Sequence, residues 1–106
     1  MLIGVLSDSH DHVEGLRAAL HVFKERGVGM VVHCGDWVAP FMFKALDELE
    51  CKLVTVWGNN EGDLQLCMDV AKGTGKDIEF AGKVAELEID GKKIVVYHGD
   101  HSALLV

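Results

Sequence analysis

Proline, cysteine and basic charge are all scarce in this sequence. Pro40 is the only proline, and no Pro/Ser-rich stretch, repeat or low-complexity segment divides the chain. Three cysteines, Cys34, Cys51 and Cys67, make an odd count at no metal-ligand spacing. They read as reduced thiols of a cytoplasmic protein and argue against a structural zinc knuckle. Ten basic side chains against seventeen acidic ones leave a formal net charge of −7. That balance speaks against long nucleic acid and against anionic membrane surfaces as partners. Long apolar runs are missing too. Residues 2–6 and 28–32 are strand-sized, far below the ~18 residues of a membrane span. The opening MLIGVL has no basic residues before Asp8, so it does not read as a signal peptide.

What remains is a globular balance. Of 106 residues, 49% are hydrophobic and 25% charged, which suits one domain, or part of one, with a modest core. Residues 2–7 form an apolar run without helical period, hence a buried strand. Val13, Leu16, Leu20 and Phe23 mark one face of a helix over 13–26, and Gly27 stops it. Residues 30–33 are a second strand. Pro40 suits a helix's first turn, which Met42, Leu46 and Leu49 continue. Residues 53–57 are a third strand, broken by Gly58. Leu64, Cys67, Met68 and Ala71 indicate a short third helix fading at Gly73 and Gly75. Ala85, Leu87 and Ile89 then alternate with glutamates, Asp90-Gly91 signals a hairpin, and residues 94–97 return. The order β-α-β-α-β-α-β-β predicts an α/β fold with a largely parallel sheet and an antiparallel addition.

The chemistry gathers after the strands. Asp8-Ser9-His10-Asp11-His12 follows the first, His33-Cys34-Gly35-Asp36 closes the second, Gly58-Asn59-Asn60-Glu61 follows the third, and His98-Gly99-Asp100-His101 follows the hairpin. Ligands of open α/β sheets bind at the carboxyl ends of strands, so these clusters should converge. Any one of them has a plain reading. Asp8 or Asp36 alone suits a helix N-cap or a loop, Asn59 a turn, and His98 a simple hydrogen bond. Four clusters ending four strands favour a site for divalent metals such as Mn, Fe, Ni, Co or Zn, which accept imidazole, carboxylate and amide oxygen. Trp37 and Trp57 read as packing residues, with Trp37 near enough to line the pocket. Cys34 reads as a buried small hydrophobe, His21 as solvated, and residues 72–76 as a mobile loop able to help hold an anion.

In this order the motifs resemble the calcineurin-like metallophosphoesterase superfamily, in its small YfcE-like prokaryotic phosphodiesterase branch. Asp8-Ser9-His10 matches D-x-H, Gly35-Asp36 matches G-D, Gly58-Asn59-Asn60-Glu61 matches G-N-x-[D/E], and His98-Gly99 matches the histidine that follows. The resemblance covers essentially the whole chain. It implies a layered α/β sandwich and a centre of two divalent metals, manganese first and nickel, iron, cobalt or zinc after it. Asp8 and His10 would hold one ion, Asn59 and His98 the other, and Asp36 would bridge. Catalysis would rest on Asp36, Asn59 and His98, through a hydroxide activated between the metals. Glu61 and Asp11 are candidates to orient the imidazoles.

Two departures stand out. Many members have histidine after the motif asparagine, as a proton donor; here Asn60 can only orient a phosphoryl oxygen. The family's final G-H-x-H motif is absent, so residues 1–106 read as an N-terminal portion of one metallophosphoesterase domain that lacks its C-terminal part. The second sheet would then be largely missing, and an exposed apolar face would favour self-association. The expected function is metal-dependent hydrolysis of small phosphoesters, foremost phosphodiesters. The alternative is a protein-interaction scaffold on the same fold with a weakened metal site.

Overall fold

The structure, a computed structural model, describes residues 1–7, 12–37, 40–58 and 64–98. Four short strands, β1 (Ile3–Leu6), β2 (Met30–His33), β3 (Lys52–Thr55) and β4 (Ile78–Phe80), form a parallel sheet in the order β1-β2-β3-β4. Helix α1 (Val13–Glu25) joins β1 to β2, a 3-10 helix (Pro40–Ala45) joins β2 to β3, and α2 (Leu64–Gly73) joins β3 to β4. The order advances in one direction, and crossovers of one hand then stack on one face. Accordingly Leu16 and Leu20 of α1, Met42 and Phe43 of the 3-10 helix, and Cys67 and Ala71 of α2 share one core with Val31 and Leu53 of the sheet.

Alternation along the strands supplies the second core. Val32 and Val54, the neighbours of Val31 and Leu53, point to the other face and pack with Val56, Ala85 and Val96. Those last two residues come from β5 (Val84–Ile89) and β6 (Lys92–Tyr97), a two-stranded antiparallel sheet of its own. The molecule is therefore layered: helices, parallel sheet, hairpin. The antiparallel pair lies over the parallel sheet as a layer of its own, in keeping with the layered sandwich the resemblance implied. It leaves an apolar groove of about 220 Å³ between β1 and the hairpin, lined among others by Ile3, Val5, Leu87 and Val95.

Local chemistry explains the element ends. After α1, Gly27 takes φ +69°. Gly27 N–H donates to Lys24 O and Val28 N–H to Phe23 O, which together form a Schellman stop. Asp90 and Gly91 take φ +52° and +79°, as a two-residue hairpin turn of the primed type requires.

The segment from Pro40 is not the expected α-helix. It is a 3-10 helix over Pro40–Ala45, and Met42, Phe43, Ala45, Leu46 and Leu49 still bury one side of the segment. Strand β4 was not foreseen, because three residues are too few to show a period. Residues 72–76, expected as a mobile loop, end α2 and enter a hydrogen-bonded turn. Thr74 Oγ1 donates to Ala71 O at 2.6 Å, and Lys76 Nζ donates to Leu49 O at 2.9 Å. This turn leads into β4 at the amino end of the sheet, opposite the strand ends that carry the candidate site. No helix among the described residues is long and apolar enough to cross a membrane.

The two-core layering makes a stability prediction. Leu53→Ala should cost about 2–5 kcal/mol, because the side chain is fully buried. Val5→Thr, at 63% exposed on edge strand β1, should change stability by about 0.5 kcal/mol or less. Urea denaturation of both variants checks this, and equal losses would mean that the burial is misplaced.

Candidate active site

In the sheet register Leu6 stands beside His33 and His33 beside Thr55. The carboxyl ends of β1, β2 and β3 are therefore level, and the chain leaves each strand at the same edge. After β2 it turns sharply, with φ +106° at Gly35 and +68° at Asp36. Gly35 has a second reason to be glycine. A Cβ there would lie 2.5 Å from the backbone nitrogen of Gly58 and 2.8 Å from its Cα. The exits of β2 and β3 thus touch backbone to backbone.

The turn is clamped from below. His33 is fully buried and its ring stacks on Trp37 at 3.9 Å between centroids. Gly35 N–H donates to His33 Nδ1 at 3.0 Å. Burial pushes the His33 pKa down to about 3, His98 adds to the shift, and Asp36 opposes it. A neutral ring whose Nδ1 accepts carries its proton on Nε2. Trp37 Nε1–H donates to Thr55 Oγ1 at 2.8 Å, and its other neighbour is Phe43, stacked at 4.2 Å. Trp37 is wholly buried, so it packs and does not line a pocket.

Asp36 is only 4% exposed. The hairpin brings His98 to it, directly after β6, with Nε2 at 3.3 Å from Asp36 Oδ2. The other ring nitrogen, Nδ1, lies 2.9 Å from the carbonyl oxygen of Cys34. A carbonyl only accepts, so Nδ1 carries a hydrogen and donates. In the neutral ring Nε2 is then a lone pair facing a carboxylate oxygen. Two acceptors so close need a positive species, on the ring or between them. A divalent cation fits that requirement, and a histidine oriented through its far nitrogen is the arrangement metal sites use. Cys34 itself is half-buried; its part is played by its carbonyl rather than its thiol.

Of the residues singled out by sequence, the structure brings Asp36 and His98 together. Asp8, His10, Asn59 and Asn60 lie outside the described residues, as do Asp11, Glu61, Asp100 and His101. Among the described residues no group of three or more His, Cys, Asp or Glu could hold a metal; the described part of the centre is a pair. His21 is exposed as expected, beside Glu25 and Glu48. Sequence reasoning missed the supporting roles of His33 and Thr55, and also Lys83, whose Nζ donates to Gly58 O at 3.0 Å. The strand-end position of His33 was a signal for it. Nothing local marks Thr55 or Lys83.

Comparison with known proteins bears on the family and the fold. The model of the calcineurin-like phosphoesterase superfamily domain matches residues 1–105. Phosphodiesterase MJ0936 of Methanocaldococcus jannaschii is 32% identical over 105 residues, covering 99% of this chain and 63% of the relative. Probable metallophosphoesterase MJ0623 of the same organism is 36% identical over 101 residues, covering 94% of this chain and 44% of the relative. A solved archaeal phosphodiesterase superposes with a TM-score of 0.89 at 32% identity, over 99% of this chain and 63% of that one. YfcE, a phosphoesterase from Escherichia coli, shares the fold, with a TM-score of 0.68 at 16% identity over 94% of this chain and 58% of that one. The chain spans less than two thirds of the length of each of these relatives. It belongs to the calcineurin-like phosphoesterase superfamily.

The backbone contact between the strand exits can be tested directly. Gly35→Ala should cost roughly 1–3 kcal/mol for the left-handed backbone alone, with more from the clash at Gly58. Chemical denaturation measures the loss. A variant as stable as the parent would mean that the two exits do not meet.

Proposed function

We propose, from this chain's superfamily membership, that it carries a metal-dependent site for hydrolysing phosphoesters, with phosphodiesters as the substrate class. The observation that supports this most directly is the fixed ring of His98, whose Nε2 faces the buried carboxylate of Asp36 at 3.3 Å. Asp8, His10, Asp36, Asn59 and His98 would hold two divalent ions, with Asp36 shared between them because a carboxylate has two oxygens. Manganese, with nickel, iron, cobalt or zinc as alternatives, suits this mixture of imidazole, carboxylate and amide donors. Bound there, such ions would supply Lewis acidity and a water of lowered pKa.

The chain's own residues set the terms of the reaction. Cys34 O holds the His98 ring so that Nε2 points at the centre. His33, kept neutral by burial, supports the turn of Asp36 without adding charge beside the metals. Asn60 stands where many relatives have a proton-donating histidine, and an amide does not donate a proton near neutral pH. Leaving groups must therefore depart as stable anions. That favours diesters with acidic alcohols over alkyl monoesters. The buried acceptor pair, together with the intact Asp8, His10 and Asn59 motifs, favours catalysis over a scaffold role, for which burying a carboxylate beside a histidine would only be a cost.

Hydrolysis of bis(p-nitrophenyl) phosphate, titrated with Mn²⁺ and Ni²⁺, tests the reading, with Asp36→Asn as the comparison. Asparagine tolerates the left-handed backbone of this position, so the variant should fold. Its turnover should fall to that of the metal-free protein. If Asp36→Asn kept most of the parent's turnover, the two-metal reading would be wrong. Asn60→His supplies the missing proton donor and should raise hydrolysis of p-nitrophenyl phosphate relative to the diester, by up to roughly 100-fold. An unchanged ratio would remove the proton-donor argument.

A further inference from the structure

The turn between β4 and β5 reaches the exit of β3 and holds it by hydrogen bonds. Ala81 N–H donates to Thr55 O at 2.9 Å, and Trp57 N–H donates to Gly82 O at 2.8 Å. Lys83 Nζ then donates to Gly58 O at 3.0 Å. Gly58 is buried, and its nitrogen and Cα are the atoms against which Gly35 is pressed. It is therefore confined by the β2 exit through its nitrogen and Cα, and by an ammonium through its carbonyl. That carbonyl belongs to the peptide unit joining Gly58 to Asn59, and a peptide unit is planar. Fixing its oxygen restrains the plane in which the chain leaves Gly58. The bond is charge-assisted, hence about twice as strong as a neutral one. Lys83 otherwise belongs to an exposed turn, where holding a long side chain in one place costs entropy.

We propose that Lys83 is a positioning residue for the candidate centre: by gripping the Gly58 carbonyl it fixes the exit of β3 against the turn that carries Asp36. The metal consequence rests on the function proposed above; the grip itself does not. The hairpin layer then contributes twice to one site, through His98 beyond β6 and through Lys83 ahead of β5.

Three proteins test this: the parent, Lys83→Met, which keeps an apolar stem and removes the donor, and Lys83→Arg, which restores a cation. Amide hydrogen exchange is measured on the peptide spanning residues 53–58 in metal-free protein, and Mn²⁺ affinity by calorimetry. Lys83→Met should exchange faster in that peptide and bind Mn²⁺ about tenfold more weakly, as loss of an outer partner does at metal sites. Its kcat should fall more than its KM changes, and Lys83→Arg should recover most of each loss. Unchanged exchange in Lys83→Met would overturn the proposal, as would faster exchange with Mn²⁺ affinity within twofold of the parent. Faster exchange in Lys83→Met with no Mn²⁺ binding even by the parent would support the grip and overturn the metal-centre reading.

Discussion

A carboxylate taken out of water must be answered by positive charge or by hydrogen-bond donors, or it is lost to protonation. Asp36 imposes that demand on this fold, and much of the structure describes how it is met. The residue sits in a left-handed turn that only a preceding glycine, pressed against a second glycine, allows to close so tightly. Beneath it a histidine is held neutral and used as a hydrogen-bond acceptor, with a tryptophan stacked on its face. In front of it a second histidine is locked by a backbone carbonyl into the orientation that offers a lone pair. Together these groups fix the imidazole and the carboxylate 3.3 Å apart.

The two cores make this arrangement possible. Alternating residues of the same strands feed opposite faces, Val31 and Leu53 toward the helices, Val32 and Val54 toward the hairpin. The helix side supplies the aromatic clamp of His33, Trp37 and Phe43. The hairpin side supplies His98. The centre lies where both layers meet the carboxyl edge of the sheet, the place where open α/β sheets bind their ligands. Phosphoester hydrolysis is a chemistry suited to such an edge, since metal ligands can be gathered from several strands at once.

Much of this was legible in the residues. Apolar runs marked β1, β2 and β3, the 3-and-4 spacing marked α1, and Asp90-Gly91 marked the hairpin. Asp36 and His98 could be singled out because each follows an apolar strand. Other features could not be read, for physical reasons. A three-residue strand has no period, and a 3-10 segment shares its start signals with an α-helix. Gly35 and Gly58 were both visible as sharp exits, but their mutual contact depends on strand register, not on either neighbourhood. The tautomer of His98 is decided by the carbonyl of Cys34, 64 residues earlier. Lys83 and Thr55 also act through partners far along the chain, 25 and 18 residues away, and carry no local mark. The placement of Asp8, His10, Asn59 and Asn60 lies outside the described residues, so their share of the centre stays a proposal.

The sequential strand order has a consequence for how the molecule comes into being. Each strand of the parallel sheet pairs with the one made just before it, so the sheet and its helices can assemble as the chain emerges from a ribosome. His98 is synthesised last among the described residues, after the loop of Asp36 has already been packed. During that interval the buried carboxylate has its aromatic clamp but not its imidazole. The pairing of Asp36 with His98 is thereby postponed until the hairpin closes, and the fold sets the order of events by topology alone.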